Sequence, residues 1–142
     1  MTVAFVGDVM LDRDVEAAMR SEGAGHPFEA ARPLFEGADL VIANLEGTFT
    51  DASIPLAKQY VFATAPELAP GLLELPAWGV SLSNNHATDY GVTGLRRTLE
   101  TLDQHGIAHF GAGLTEADAR GGVIAGSDSA PNIAILGYSD IG

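Results

Sequence analysis

The residues best suited to chemistry lie near the middle of the chain. There the apolar run Trp78-Gly79-Val80-Ser81-Leu82 stops at Ser83-Asn84-Asn85-His86, and Asp89 and Gly91 follow. Imidazole offers a proton donor or metal ligand, an amide oxygen offers a second ligand, and a carboxylate three residues on offers an orienting partner. Two other apolar runs end in the same way, with Asp8 after residues 3–6 and Asn44 and Glu46 after residues 40–43. If the three runs are parallel strands, Asp8, Asn44, Glu46, Asn85 and His86 meet at one sheet edge, where ligands of α/β proteins gather. This mixed oxygen and imidazole set suits Mn²⁺, Fe²⁺, Zn²⁺ or Mg²⁺, and a bridging carboxylate makes a dinuclear centre the natural arrangement. Such a centre lowers the pKa of a bound water and clamps the oxygens of a phosphoryl ester during in-line attack.

Each residue also has a plain structural reading. Gly7-Asp8 can be a turn or cap, Asn44 a loop brace, Glu46 a solvated side chain and Asn84 a turn residue. His86 can be a loop histidine oriented by Asp89. Lys58, the only lysine, is a candidate substrate contact for an anion, although a solvated loop residue is the more common case. His26, His105 and His109 lack comparable company and read as structural. The Phe110-Gly111-Ala112-Gly113 segment lacks the further glycine or Gly-Lys-Ser/Thr of a phosphate-cradling loop. Thr115 and Asp118 instead have the spacing of a helix-capping pair.

The positioning elements follow from apolar periodicity. Residues 3–6, 40–43, 78–82 and 107–110 read as strands, and 123–125 with 133–136 as two more around a turn-rich 126–132. Helical composition marks 12–20, 28–35 despite Pro33, 66–74 opening on Pro66, and a turn at 115–119. The strongest helix is 93–105, with Leu95, Leu99 and Leu102 on one stripe and Gly106 as its stop. Strands alternating with helices predict an α/β fold with a mainly parallel sheet.

Composition narrows the function. The chain has 142 residues, 46% of them hydrophobic, which is enough for one domain spanning 1–142 with a real core. There is no cysteine, so thiolate metal sites, thiol nucleophiles and disulfides are excluded. A net charge of −12, with no basic cluster beyond Arg96-Arg97, argues against nucleic-acid binding. No signal-peptide pattern or membrane-length apolar run is visible, so the chain reads as soluble as given, with its compartment open.

Five segments taken in order carry a resemblance. Gly7-Asp8-Val9-Met10-Leu11, Asn44-Leu45-Glu46-Gly47, the Lys58/Phe62 loop, Ser83-Asn84-Asn85-His86 with Asp89-Tyr90-Gly91, and Phe110-Gly111-Ala112-Gly113 resemble the successive motifs of bacterial poly-γ-glutamate capsule-synthesis (CapA-type) proteins. That family in turn resembles the calcineurin-like metallophosphoesterases, which implies an αββα sandwich with a dinuclear metal site at its strand ends. By position, the resemblance makes Asp8 and Asn85 metal ligands, puts Glu46 or Asn44 in the bridging-ligand place, and makes His86, oriented by Asp89, the acid/base or phosphate-contacting histidine. Met10 stands where the larger superfamily carries a histidine, and no histidine follows His109. The chain therefore resembles an amino-terminal half-domain with a partial site. Two functions stand open: metal-dependent phosphoester hydrolysis, or a non-catalytic capsule-assembly or anion-binding subunit. The resemblance also implies partners among capsule-polymer synthesis subunits. A half-sandwich would expose an apolar face around residues 133–136 and self-associate through it.

Overall fold

The structure, a computed structural model, describes residues 1–75, 77–127 and 130–140. It is an α/β fold. Strands β1 (Val3–Val9), β2 (Leu40–Leu45), β5 (Ala77–Ser81) and β6 (Ala108–Phe110) form one four-stranded sheet in the order β1-β2-β5-β6. All three pairings are parallel. Two small ladders accompany it: parallel β3 (Thr48–Phe49) with β4 (Ala63–Thr64), and antiparallel β7 (Val123–Ser127) with β8 (Ala130–Ile135). The turn expected at 126–132 includes 128 and 129, which lie outside the described residues.

β1 runs further than its apolar sequence suggests. Instead of closing at Gly7, it shifts register between Phe5 and Asp8 and resumes pairing, setting Asp8 opposite Asn44 and Val9 opposite Leu45. An irregularity of this kind re-aims the side chains beyond it, so Asp8 lies within the ladder rather than in a turn.

Helices cover one face. α1 (Asp14–Glu22) and the 14-residue α3 (Gly91–Gln104) contribute to the core, with Met19 and Leu102 fully buried. Leu45, Val80, Leu82, Leu72 and Phe49 belong to the same core. The helix expected over 28–35 is broken into α2 (His26–Glu29) and a 3₁₀ turn at Arg32–Phe35. Pro33 explains the break, because it has no N–H to donate and its ring clashes with the carbonyl four residues back. Residues Pro66–Glu74 also form a 3₁₀ segment, while α4 (Glu116–Arg120) begins on the Thr115/Asp118 capping box.

The opposite face is only partly covered. The β7–β8 hairpin packs Ile135 against Leu40, Ile42 and Phe110. Phe5 remains 72% exposed, and Leu136 and Tyr138 are exposed beside it. A groove of about 300 Å³ runs between them along Ile42 to Asn44 and Ser83.

Candidate functional site

The carboxyl ends of the sheet build the site in two halves. In the first, parallel register places Asp8, Asn44 and Ser81 side by side across three strands. Asn44 Nδ2 donates to Asp8 Oδ1 at 2.8 Å and to Glu46 Oε2 at 2.7 Å. Asn44 Oδ1 accepts from Asn84 Nδ2 at 3.0 Å, and the same Asn84 amide donates to the Leu45 carbonyl at 2.8 Å. Asn84 Oδ1 in turn accepts from His86 N at 2.9 Å. A chain of two amides thus fixes the direction of every dipole and aims two donor hydrogens at two carboxylates.

The second half is centred on Asp89, whose side chain is 0% exposed. Its Oδ2 lies 2.7 Å from His86 Nδ1 and accepts from Phe62 N at 2.8 Å. Its Oδ1 accepts from Lys58 Nζ at 2.8 Å, and its main-chain carbonyl accepts from Leu56 N at 2.7 Å. An ionised carboxylate only accepts, so this arrangement puts a proton on His86 Nδ1 and leaves Nε2 facing Glu46 Oε1 at 3.6 Å. The Phe62 ring lies against the imidazole, with centroids 4.4 Å apart. Arg13 covers the same ring, its guanidinium carbon 4.9 Å from the centroid.

The residues singled out from sequence divide as follows. Asp8, Asn44 and Glu46 are joined by hydrogen bonds, and His86 with Asp89 is joined to them through Asn84 and across the Glu46 gap. Asn85 meets the cluster through its backbone, its carbonyl accepting from Lys58 Nζ. Lys58 is spent on Asp89 and that carbonyl. Met10 turns its sulfur to Asp12 N at 3.2 Å. Three participants went unnoticed in the sequence: Asn84 as the central brace, Asp12, which accepts from Ala63 N at 3.1 Å, and Arg13. The charged run Asp12-Arg13-Asp14 directly after a strand was the available signal for the last two, but helical composition absorbed it. Tyr90 is also close. Burial, then the charges of Asp12 and Asp89, push its phenol above the ordinary tyrosine range, so it stays neutral.

The other segments take no part in the site. Gly111, at φ +86°, packs against Ser83 and Gly137 so closely that a Cβ would lie 1.9 Å from Ser83 Oγ. At Gly113 a Cβ would lie 2.4 Å from that of Asp118. The glycine segment is therefore a packing junction rather than a phosphate cradle. A groove of about 470 Å³ between α3 and α4 contains His109 but no residue of the cluster.

The donor chemistry can be compared with the metal centre the resemblance implies. Among the described residues, no group of three or more His, Asp and Glu side chains is placed to hold an ion. Asp8 and Glu46 are the two carboxylates at hand, and the amide group facing them is the NH₂ of Asn44, which donates rather than ligates. Two six-coordinate ions need far more oxygen or nitrogen donors than this set supplies. The residues present do not by themselves fit a dinuclear centre.

No helix among the described residues is long and apolar enough to cross a membrane. Comparison with known proteins accounts for nearly the whole chain. The family described as bacterial capsule synthesis protein PGA_cap matches residues 2–141. The PGA biosynthesis protein CapA of Bacillus subtilis is 30% identical over 143 residues, covering 99% of this chain and 38% of the relative. The capsule biosynthesis protein CapA of Bacillus anthracis is 25% identical, covering 99% and 35%. A probable polyglutamine synthesis accessory protein of Mycobacterium tuberculosis is 35% identical over 83 residues, covering 58% and 22%. The chain thus spans little more than a third of the length of the two CapA relatives. With its five motifs in order and a match over essentially its full length, it belongs to the bacterial capsule synthesis (PGA_cap) family.

Proposed function

We propose that this chain forms one wall of an oxyanion-binding pocket in a capsule-synthesis protein, and that it holds its ligand without turning it over. The single observation behind this reading is the Asn44 amide. It places two neutral N–H donors between Asp8 and Glu46, where a catalytic ion would need ligands. The similarity to two CapA proteins points to capsule polymer synthesis as the setting, with other synthesis subunits as partners. On this reading the partly open sheet face with Phe5, Leu136 and Tyr138 is the inner face of a half-sandwich of the metallophosphoesterase kind. Such a face, with these apolar residues exposed, would be covered by a second sheet or by self-association.

One observation favours a second reading, metal-dependent phosphoester hydrolysis. His86, held by buried Asp89 with Nε2 free toward Glu46, has the arrangement of a general acid with its orienting partner. In that case Asp8, Glu46 and Asn85 would hold a divalent ion once Asn44 turned its oxygen inward, and the ion would supply an activated water. Aryl phosphate turnover during a manganese titration separates the two. The binding reading expects none above buffer in the parent chain. Turnover that disappears in Glu46→Ala would establish hydrolysis instead.

A further inference from the structure

The chain has seven basic residues against nineteen acidic ones, so most of its cations are consumed internally. Arg20, Arg32, Lys58, Arg97 and Arg120 are each ion-paired with a carboxylate. Among the described residues, Arg13 and Arg96 alone have no such partner within 4 Å, and Arg96 lies on α3, lining the groove that holds none of the site residues. Arg13 is at the site. Its guanidinium carbon lies 4.9 Å from the centroid of Phe62, the ring that also packs against His86.

The backbone at Arg13 is unusual as well. It has φ 60° and ψ −127°, and it is the only non-glycine residue with positive φ among those described. Those angles match the first central position of a type II′ turn, which strongly favours glycine because a Cβ is crowded there. An arginine held in that conformation by its surroundings is strain stored beside the cluster. A cation held against an aromatic face keeps N–H donors that the ring does not use, and a guanidinium can offer two of them to one planar anion.

We propose that Arg13 is the residue of this site that recognises an oxyanion group, a phosphate or a carboxylate, presented to His86 and Glu46. It does so in place of Lys58, whose ammonium is committed to Asp89. The inference rests on the pocket assigned above, and it adds both the contact residue and the chemical class of its ligand. Local charge sets the requirement: Asp8, Glu46 and Asp89 repel an anion, and among the described residues at the site Arg13 is the cation with no carboxylate partner within 4 Å to offset them.

Calorimetric titration of the parent chain, Arg13→Gly, Arg13→Lys and Arg96→Ala at constant ionic strength tests this, with inorganic phosphate in one arm and glutarate in the other. The arm that binds identifies the oxyanion. The expected result is affinity about tenfold weaker in Arg13→Gly, the equivalent of one charge-assisted contact, with partial recovery in Arg13→Lys and parent-like binding in Arg96→Ala. The melting temperature of Arg13→Gly should be unchanged or higher, because glycine relieves the backbone strain, so the loss cannot come from unfolding. Parent-like affinity in Arg13→Gly overturns the role of Arg13 and leaves the pocket standing, as does equal weakening in Arg96→Ala. Failure of the parent to bind either anion overturns both.

Discussion

The two halves of the site are built on opposite terms. Around Asp89 every polar atom is committed: one carboxylate with no exposed surface accepts from a lysine, a histidine and a backbone N–H. Around Asp8 and Glu46, two carboxylates share the NH₂ of a single neutral amide, and Asp8 is open to solvent. A buried charge is tolerated only when it is paired and hydrogen-bonded, so the Asp89 half is fixed by folding itself. Asp8, which is exposed, carries little such cost, and Glu46 keeps 17% of its side-chain surface exposed, so the Asp8/Glu46 half is the more pliable. The rigid half presents His86, and the pliable half presents the less committed carboxylates.

The largest expected effect is at the rigid half. Asp89→Ala strips Lys58, His86 and the Phe62 N–H of their shared acceptor, and denaturant unfolding should show a loss of about 3 kcal/mol. Asp8→Ala, by contrast, should cost under about 0.5 kcal/mol. Equal losses at the two positions would remove the distinction.

Next is Lys58→Met, which leaves the Asp89 carboxylate with two donors. Because the ammonium is partly exposed, the expected loss is about 1–2 kcal/mol. Hydrogen exchange should quicken at the Leu56 and Phe62 amides, which the same aspartate holds. Unchanged protection there would mean that Lys58 does not help secure Leu56 and Phe62 to Asp89.

Asn44→Asp probes the pliable half by placing a third carboxylate between the existing two. In the absence of divalent ions it should cost about 1 kcal/mol by like-charge repulsion. Added Mg²⁺ should restore that loss and raise the melting midpoint above its metal-free value. A midpoint indifferent to Mg²⁺ would show that this half cannot accept an ion even with the extra ligand.

The smallest effect belongs to Tyr90. Its folded-state pKa is raised by burial and by Asp12 and Asp89, relative to an ordinary value of 10.0. The folded state therefore holds the phenolic proton more tightly than the unfolded chain. The associated stability is complete below the unfolded pKa and is lost as pH rises through the folded one. Stability measured across that alkaline window should fall more steeply for the parent than for Tyr90→Phe, and parallel curves would refute the assignment.

Much of this was legible in the chain, for identifiable reasons. The parallel strands, helix α3 and the Thr115 cap follow from apolar spacing and capping chemistry, which are local. The convergence of Asp8, Asn44, Glu46 and His86 followed from one topological rule about strand ends. What escaped depended on tertiary contacts. The continuation of β1 past Gly7 is decided by pairing with β2, and the two-residue strands β3 and β4 are too short to leave a periodic pattern. Lys58 read as a free cation because its partner is 31 positions away. Asn84 read as a turn residue because its bonds to Asn44 and Leu45 are equally distant. The conformation of Arg13 has no signature in composition at all.

The most direct measurement of the central claim is phosphorus NMR of phenyl phosphate mixed with the parent chain and Mg²⁺. Binding without turnover gives a saturable shift of the ester resonance with no inorganic phosphate signal growing beyond the buffer control. Steady growth of inorganic phosphate, abolished by Glu46→Ala, would contradict it and make the pocket an active site.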